Sequence, residues 1–350
     1  MGDLNVVAPK THKHCESAHA LRGIAALAVA WFHFTSGQPV FLPEGSLLRL
    51  SGSYGYLGVA VFFVISGFVI PYSLENMKYR LPGNAKEFAV RRFWRIYPPY
   101  LVAFILTVAL TAVSSHIPGS HAKLPDFGAA TIIGNLTYTA PWIGGEWASP
   151  IFWSLAIEIQ FYLMAAISAP ALLSKNRFVI FTTLFAISCL SFVPADKTLL
   201  FWYLPTFGAG VCWFLYYSNR LSFVDASGQA LGFVVVAWLT MGLEYAIAIA
   251  LAFATIAMPV RKSVPILSFL GTISYSVYLL HSPVGGRVIN LATRLPDNLY
   301  IKVIALALAL VASIGSAYLM WRFVENISGK KARDHAQRPE LGSQPESSRA

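Results

Sequence analysis

Charge is scarce in this chain. Asp, Glu, Lys and Arg together make up 12% of its 350 residues, about half the share of a soluble domain. That leaves too little polar surface to coat a globule of this size, so a water-soluble fold is excluded and lipid is the second solvent. Cysteine is scarce too. Cys15, Cys189 and Cys212 have no paired spacing, so neither a disulfide framework nor a zinc signature is expected. No internal repeat and no attached soluble domain are evident. The first apolar run, Leu21 to Gly37, lacks a small-x-small cleavage site, so it is expected to stay as a helix rather than leave as a signal peptide.

What the chain does have is apolar sequence. Hydrophobic residues make up 56% of it and the mean hydropathy is +0.58. Segments long enough, or nearly long enough, to span a bilayer lie at 20–37, 55–74, 96–116, 151–170, 178–194, 200–217, 228–242, 244–259, 264–282 and 301–323. The expected fold is therefore all-α, a polytopic transmembrane helical bundle of about ten helices. The segment 128–143 is too short and too interrupted by Gly and Pro to span, and reads as a re-entrant or interfacial helix.

A net charge of +10 would suit nucleic acid in a soluble protein. Here the basic residues sit in short loops between apolar runs, where they orient helices and attract anionic headgroups, so no nucleic acid is expected. With the N-terminus in the cytoplasm, 20 of the 26 Lys and Arg residues fall in inside segments, and both termini are expected to be cytoplasmic. The expected divisions are a cytoplasmic leader at 1–18, a membrane-embedded domain at 19–325 and a disordered cytoplasmic tail at 326–350. His12, His14 and Cys15 have no further ligands at fixed spacing, and no metal site is expected there.

An ionisable group at the bilayer centre costs roughly 2.5–3.5 kcal/mol on insertion scales, so the few present are candidates for function. Arg22 and His33 share the first segment. Their spacing returns them to nearly one azimuth, about 16 Å apart along the axis. A snorkelling arginine and an interfacial histidine would read equally from this pair alone. Glu158 falls close to the depth of His33 on a segment running the other way, with Ser154 one turn away on the same face. Bonding to a neighbouring Tyr or Trp is its structural alternative. Ser274, Tyr278 and His281 share a face by i, i+4, i+7 spacing near the outer boundary. Arg91 and Arg92 precede Arg95 by four and three residues, so a helix there presents guanidinium forks suited to phosphate, slightly beyond what orientation alone requires. The implied layout is an arginine floor on the cytoplasmic side, with a histidine and a carboxylate meeting deeper. A donor with a phosphate head and a long thin arm, such as acyl-coenzyme A, has that shape.

Five segments taken in order resemble one family, the acyltransferase family 3 of integral membrane acyltransferases, over about residues 17–325. They are Leu21-Arg22-Gly23-Ile24-Ala25-Ala26 with His33, Val61-Phe62-Phe63-Val64-Ile65-Ser66-Gly67-Phe68, Arg91-Arg92-Phe93-Trp94-Arg95-Ile96-Tyr97-Pro98, Trp153 to Tyr162 around Glu158, and Ser274 to His281. The resemblance implies acylation, most often acetylation, of sugars in lipopolysaccharide, exopolysaccharide, lipo-oligosaccharide signals or macrolides, from a cytoplasmic acyl donor. It gives essential roles to Arg22 and His33. The appended extracytoplasmic hydrolase-like domain of some members is not expected here.

The expected activity is thus O-acyl transfer from acyl-CoA, most simply acetyl-CoA, to a carbohydrate or glycolipid hydroxyl by a multi-pass protein of the bacterial inner membrane. No permanently bound cofactor is expected, and the oligomeric state stays open. His33 is the expected general base, oriented by Glu158, with a covalent acyl-histidine relay as the alternative. Arg22, Arg91, Arg92 and Arg95 are the expected donor-binding residues. Ser66, Ser154, Tyr278 and His281 are additional candidates. A proton-coupled transporter or flippase of glycans is the competing class, since it too needs embedded His and Glu. Trp142-Ile143-Gly144-Gly145-Glu146-Trp147 suits stacking on sugar rings, and an aromatic belt explains it equally.

Overall fold

The computed structural model describes residues 13–116, 128–258 and 264–337, and every regular element among them is helical. The elements run α1 (Lys13–Ser36), α2 (Leu47–Gly52), α3 (Gly58–Asn76), α4 (Ala85–Ser115), α5 (Ala129–Thr137), α6 (Phe152–Leu172) and α7 (Arg177–Leu190). They continue with α8 (Leu204–Tyr217), α9 (Phe223–Met241), α10 (Leu243–Ala257), α11 (Pro265–Leu280), α12 (Gly286–Ala292), α13 (Leu299–Met320) and α14 (Asn326–Gln337). Two π-helical turns interrupt the series: His281–Gly285 joins α11 to α12, and Trp321–Glu325 joins α13 to α14. Such turns recur at functional sites because the extra residue re-aims its neighbours.

Each of the ten apolar segments overlaps one of these helices. Five stretches are both long and apolar enough to cross a membrane: Leu47–Asn76, Ala85–Ser115, Phe152–Leu172, Phe223–Met241 and Leu299–Ala332. The chain is therefore a helical membrane protein. Others are short. At about 1.5 Å per residue, the 14 residues of α7 or α8 reach about 21 Å, against a hydrocarbon core of about 30 Å. α5, inside the segment 128–143, has nine residues and is shorter still.

The helices approach closely because glycine lets them. A Cβ on Gly210 of α8 would lie 1.9 Å from the Val64 carbonyl oxygen of α3, and one on Gly67 of α3 would lie 2.1 Å from that of Phe207 on α8. Gly23 of α1 and Gly271 of α11 meet in the same way, a Cβ on Gly271 falling 2.3 Å from the His19 carbonyl oxygen. Without water between helices, small residues at the contact are what allow tight packing in lipid. The core gathers around α3, α6, α8, α9 and α10, with Phe63, Phe161 and Phe207 stacked at its centre.

Two expected boundaries change. Residues 326–337 are helical rather than disordered. α14 prolongs α13 through the π-helical turn and packs along α4, with the Lys331 ammonium 4.9 Å from the Trp94 ring centre and Ser328 buried. A polar composition marked this stretch as solvated; a partner helix gives it a surface to fold on. At the other end α1 begins at Lys13, so part of the expected leader is the first turn of a helix. Residues 1–12, with His12, and 338–350 lie outside the described residues.

Candidate active site

One polar cavity lies within the bundle. Arg22 comes to it from α1, Ser66 from α3, Arg92 and Arg95 from α4, Ser154 and Glu158 from α6, Tyr278 from α11 and Glu325 from the second π-helical turn. Its volume is about 80 Å³, room for a few waters or a two-carbon acyl group but not for a sugar ring. Seven of the ten residues singled out from the sequence thus converge here: Arg22, Ser66, Arg92, Arg95, Ser154, Glu158 and Tyr278. Arg92 and Arg95 share a helix face at i, i+3. Arg91, expected beside them, is instead ion-paired with Glu87 one turn back on α4 and is not part of the lining.

The charges in this cavity do not cancel in pairs. Three guanidinium groups face two carboxylates. Glu158 Oε1 accepts hydrogen bonds from Ser66 Oγ at 3.1 Å and from the Tyr162 hydroxyl at 2.7 Å. Glu325 Oε2 accepts from Ser276 Oγ at 2.7 Å. Arg92 lies against aromatic faces, 5.4 Å from the Phe88 ring centre and 5.3 Å from that of Tyr162, an attraction of cation to ring quadrupole. Among the described residues Arg22 and Arg95 have neither an ion pair nor a hydrogen bond. Holding unpaired cations inside a membrane protein is costly, and an anionic group offsets that cost.

His33 occupies a second cavity of about 120 Å³. Val59, Phe63 and Tyr278 line both spaces, so the two adjoin across one layer of side chains. The expected contact with Glu158 does not form, because the carboxylate lies on the other side of that layer. The imidazole pairs with His281 instead: His33 Nδ1 lies 3.1 Å from His281 Nε2 and 3.0 Å from the Val29 carbonyl oxygen. His281 Nδ1 in turn lies 3.1 Å from the Val277 carbonyl oxygen, and the residue is fully buried. Carbonyl oxygens only accept, so each Nδ1 carries a proton. Neutral His281 then presents the lone pair of Nε2 to the His33 Nδ1–H. What remains is the lone pair of His33 Nε2, which has no protein partner among the described residues. A buried histidine has fixed the tautomer of a more accessible one.

Sequence reasoning missed three residues here. Glu325 was available as the ionisable residue ending the last apolar segment. Tyr162 and Tyr275 lay within segments already singled out, and their spacing, four residues after Glu158 and three before Tyr278, was the signal that could have found them. The His33–His281 pair could not be read at all, since 248 residues separate its members.

Fold and site together define a membrane-embedded protein whose polar chemistry lies inside a helical bundle. The chain belongs to the acyltransferase 3 family: residues 16–322 match its acyltransferase domain. That membership favours the enzyme over the transporter class. The chain is 30% identical over 362 residues to the O-acetyltransferase OatA of Staphylococcus aureus, an alignment covering 89% of this chain and 56% of that protein. It is also 30% identical over 154 residues to the acyltransferase MdmB of Streptomyces mycarofaciens, covering 42% of this chain and 37% of the relative. The chain thus spans about half the length or less of these curated relatives. No solved structure matches it.

Proposed function

We propose that this protein transfers an acyl group, acetyl in the simplest case, from acyl-CoA to a hydroxyl of a carbohydrate or glycolipid. In this reading ten helices cross the bacterial inner membrane and both termini face the cytoplasm. The observation that carries it is the pair of guanidinium groups without a direct ion pair or hydrogen bond, Arg22 and Arg95, in a cavity one side-chain layer away from an imidazole with a free lone pair. The arginines, with Arg92, hold the donor's phosphates at the cytoplasmic side as charge-assisted bonds. The pantetheine arm then reaches toward the layer of Val59, Phe63 and Tyr278. Ser66 and Tyr162 hold Glu158 in place, and its carboxylate tempers the positive field so that the spent, still anionic coenzyme can leave.

His33 Nε2 is the general base. It takes the hydroxyl proton as the acceptor oxygen bonds to the thioester carbonyl carbon. The carbon–sulfur bond then breaks, the thiolate leaves, and the imidazolium returns its proton to sulfur. An imidazole suits this because its proton affinity lies near working pH. Similarity to OatA, an O-acetyltransferase, supports acetyl as the group and oxygen as its destination.

The test uses the full chain in proteoliposomes supplied with acetyl-labelled CoA and the source cell's envelope glycans. Label is expected in the glycan, and His33→Ala is expected to insert normally but transfer none. Inertness of the wild-type protein toward acetyl-CoA, or full transfer by H33A, would refute the proposal.

A further inference from the structure

Beyond the His33 cavity lies a third space that the mechanism above does not use. Its volume is about 340 Å³, and Tyr138, Trp142, Trp147, Trp153 and Tyr203 line it together with Lys197 and Thr198. Trp153 and Tyr203, stacked at 5.4 Å, line the His33 cavity as well. The cleft therefore abuts the imidazole cavity across one pair of rings.

Its two walls are held rigidly. On one, the buried Asn135 ties the loop after α5 together: its amide donates to the Thr131 and Glu146 carbonyls, both at 2.8 Å, and its side-chain oxygen accepts from Ala148 N at 3.1 Å. On the other, Gln160 of α6 clamps the segment before α8, donating to the Thr198 carbonyl at 3.0 Å and accepting from Leu200 N at 2.8 Å. Trp142 bridges the walls through its indole N–H to Thr198 Oγ1 at 3.2 Å while half its surface stays exposed. Tyr138 completes the first wall, capping the C-terminus of α5 at φ +60°, the left-handed conformation that ends a helix.

The geometry points to this cleft as the acceptor subsite, binding a pyranose ring of a glycan with its C–H faces against Trp142 and Trp147 and its hydroxyls toward Lys197 and Thr198. Flat indoles and rim groups that donate and accept match a sugar, which has an apolar face and a hydroxylated edge. A lipid chain would not need the polar rim. Asp196 beside the rim accepts from Thr198 N at 2.7 Å, and that bond holds its carboxyl below the usual carboxylate range, so it stays an acceptor at working pH. The reacting hydroxyl then passes Trp153 and Tyr203 to reach His33. This assignment rests on the transfer activity proposed above.

The test compares the wild-type chain with W142A/W147A and W142F/W147F in proteoliposomes, using labelled acetyl-CoA and the source cell's envelope glycans as the acceptor. The double Ala variant is expected to raise the acceptor KM about tenfold or more while the acetyl-CoA KM stays at the wild-type value, and the double Phe variant to restore most of the loss. Calorimetry of the same glycans binding the protein without donor supplies a readout independent of turnover. Wild-type binding without transfer would refute the proposed function and leave the cleft standing. An unchanged acceptor KM or affinity in W142A/W147A, a loss in W142F/W147F as large as in the Ala variant, or no glycan binding by the wild-type protein would overturn the cleft.

Discussion

Replacing His281 tests the site most sharply, because His281 touches neither donor nor acceptor in the proposed mechanism. His281→Leu keeps the volume of the fully buried ring roughly constant and removes the Nε2 lone pair that faces His33 Nδ1 at 3.1 Å. In the ground state His33 keeps its Val29 carbonyl partner at 3.0 Å, so the loss there is one neutral hydrogen bond, about 1 kcal/mol. In the transition state His33 is becoming an imidazolium, and a hydrogen bond to a charged group contributes about 1.5–3 kcal/mol. The cost should therefore fall on turnover: the difference, about 0.5–2 kcal/mol, is roughly 2- to 30-fold in kcat, with both KM values little changed. His33→Ala should cost more, since it removes the base itself. His281→Gln offers a carbonyl oxygen to the same N–H and should recover part of the loss. The assay is steady-state acetyl transfer in proteoliposomes, with thermal unfolding of each variant to exclude misfolding. A wild-type kcat in H281L, or a loss expressed wholly in KM, would refute the tautomer argument.

Two further outcomes follow from the packing and the charge layout. Arg95→Ala and Arg22→Ala should each raise the donor KM by roughly 10- to 100-fold through loss of a charge-assisted contact, while Arg91→Ala should change it little because that group is ion-paired with Glu87. Equal donor KM values in all three variants would show that these arginines only orient the protein. Gly210→Leu should lower stability by about 1–3 kcal/mol or abolish folding, since even a Cβ would meet the Val64 carbonyl oxygen at 1.9 Å; an unchanged unfolding temperature in detergent would contradict the close α3–α8 contact.

How far the site was legible in the sequence depends on whether its residues share a helix. Arg22 with His33, Ser154 with Glu158, and Arg92 with Arg95 each lie on one element, and the helical repeat alone put the members of each on a common face. The same reasoning misplaced Arg91, because the period allows it to join Arg95 or Glu87 and only the competition between a carboxylate and a cation decides. Asn135 and Gln160 lie on helices but bond to loop backbone, and loops have no period from which such partners could be read.

Composition determined that this chain folds in lipid. Its ten apolar segments determined which stretches carry helices, since local hydrophobic length favours them in lipid, while the polar starts of α1 and α4 and the whole of α14 lie outside those segments. The scarcity of ionisable residues inside those segments identified most of the polar set. Which of those residues meet was decided by tertiary structure alone. A partner across 248 residues is chosen by how helices cross, and crossing is set by glycine contacts such as Gly67 with Gly210. The fold thereby gave His33 to His281 rather than to Glu158, and it turned a stretch that reads as a loose tail into a helix packed on α4.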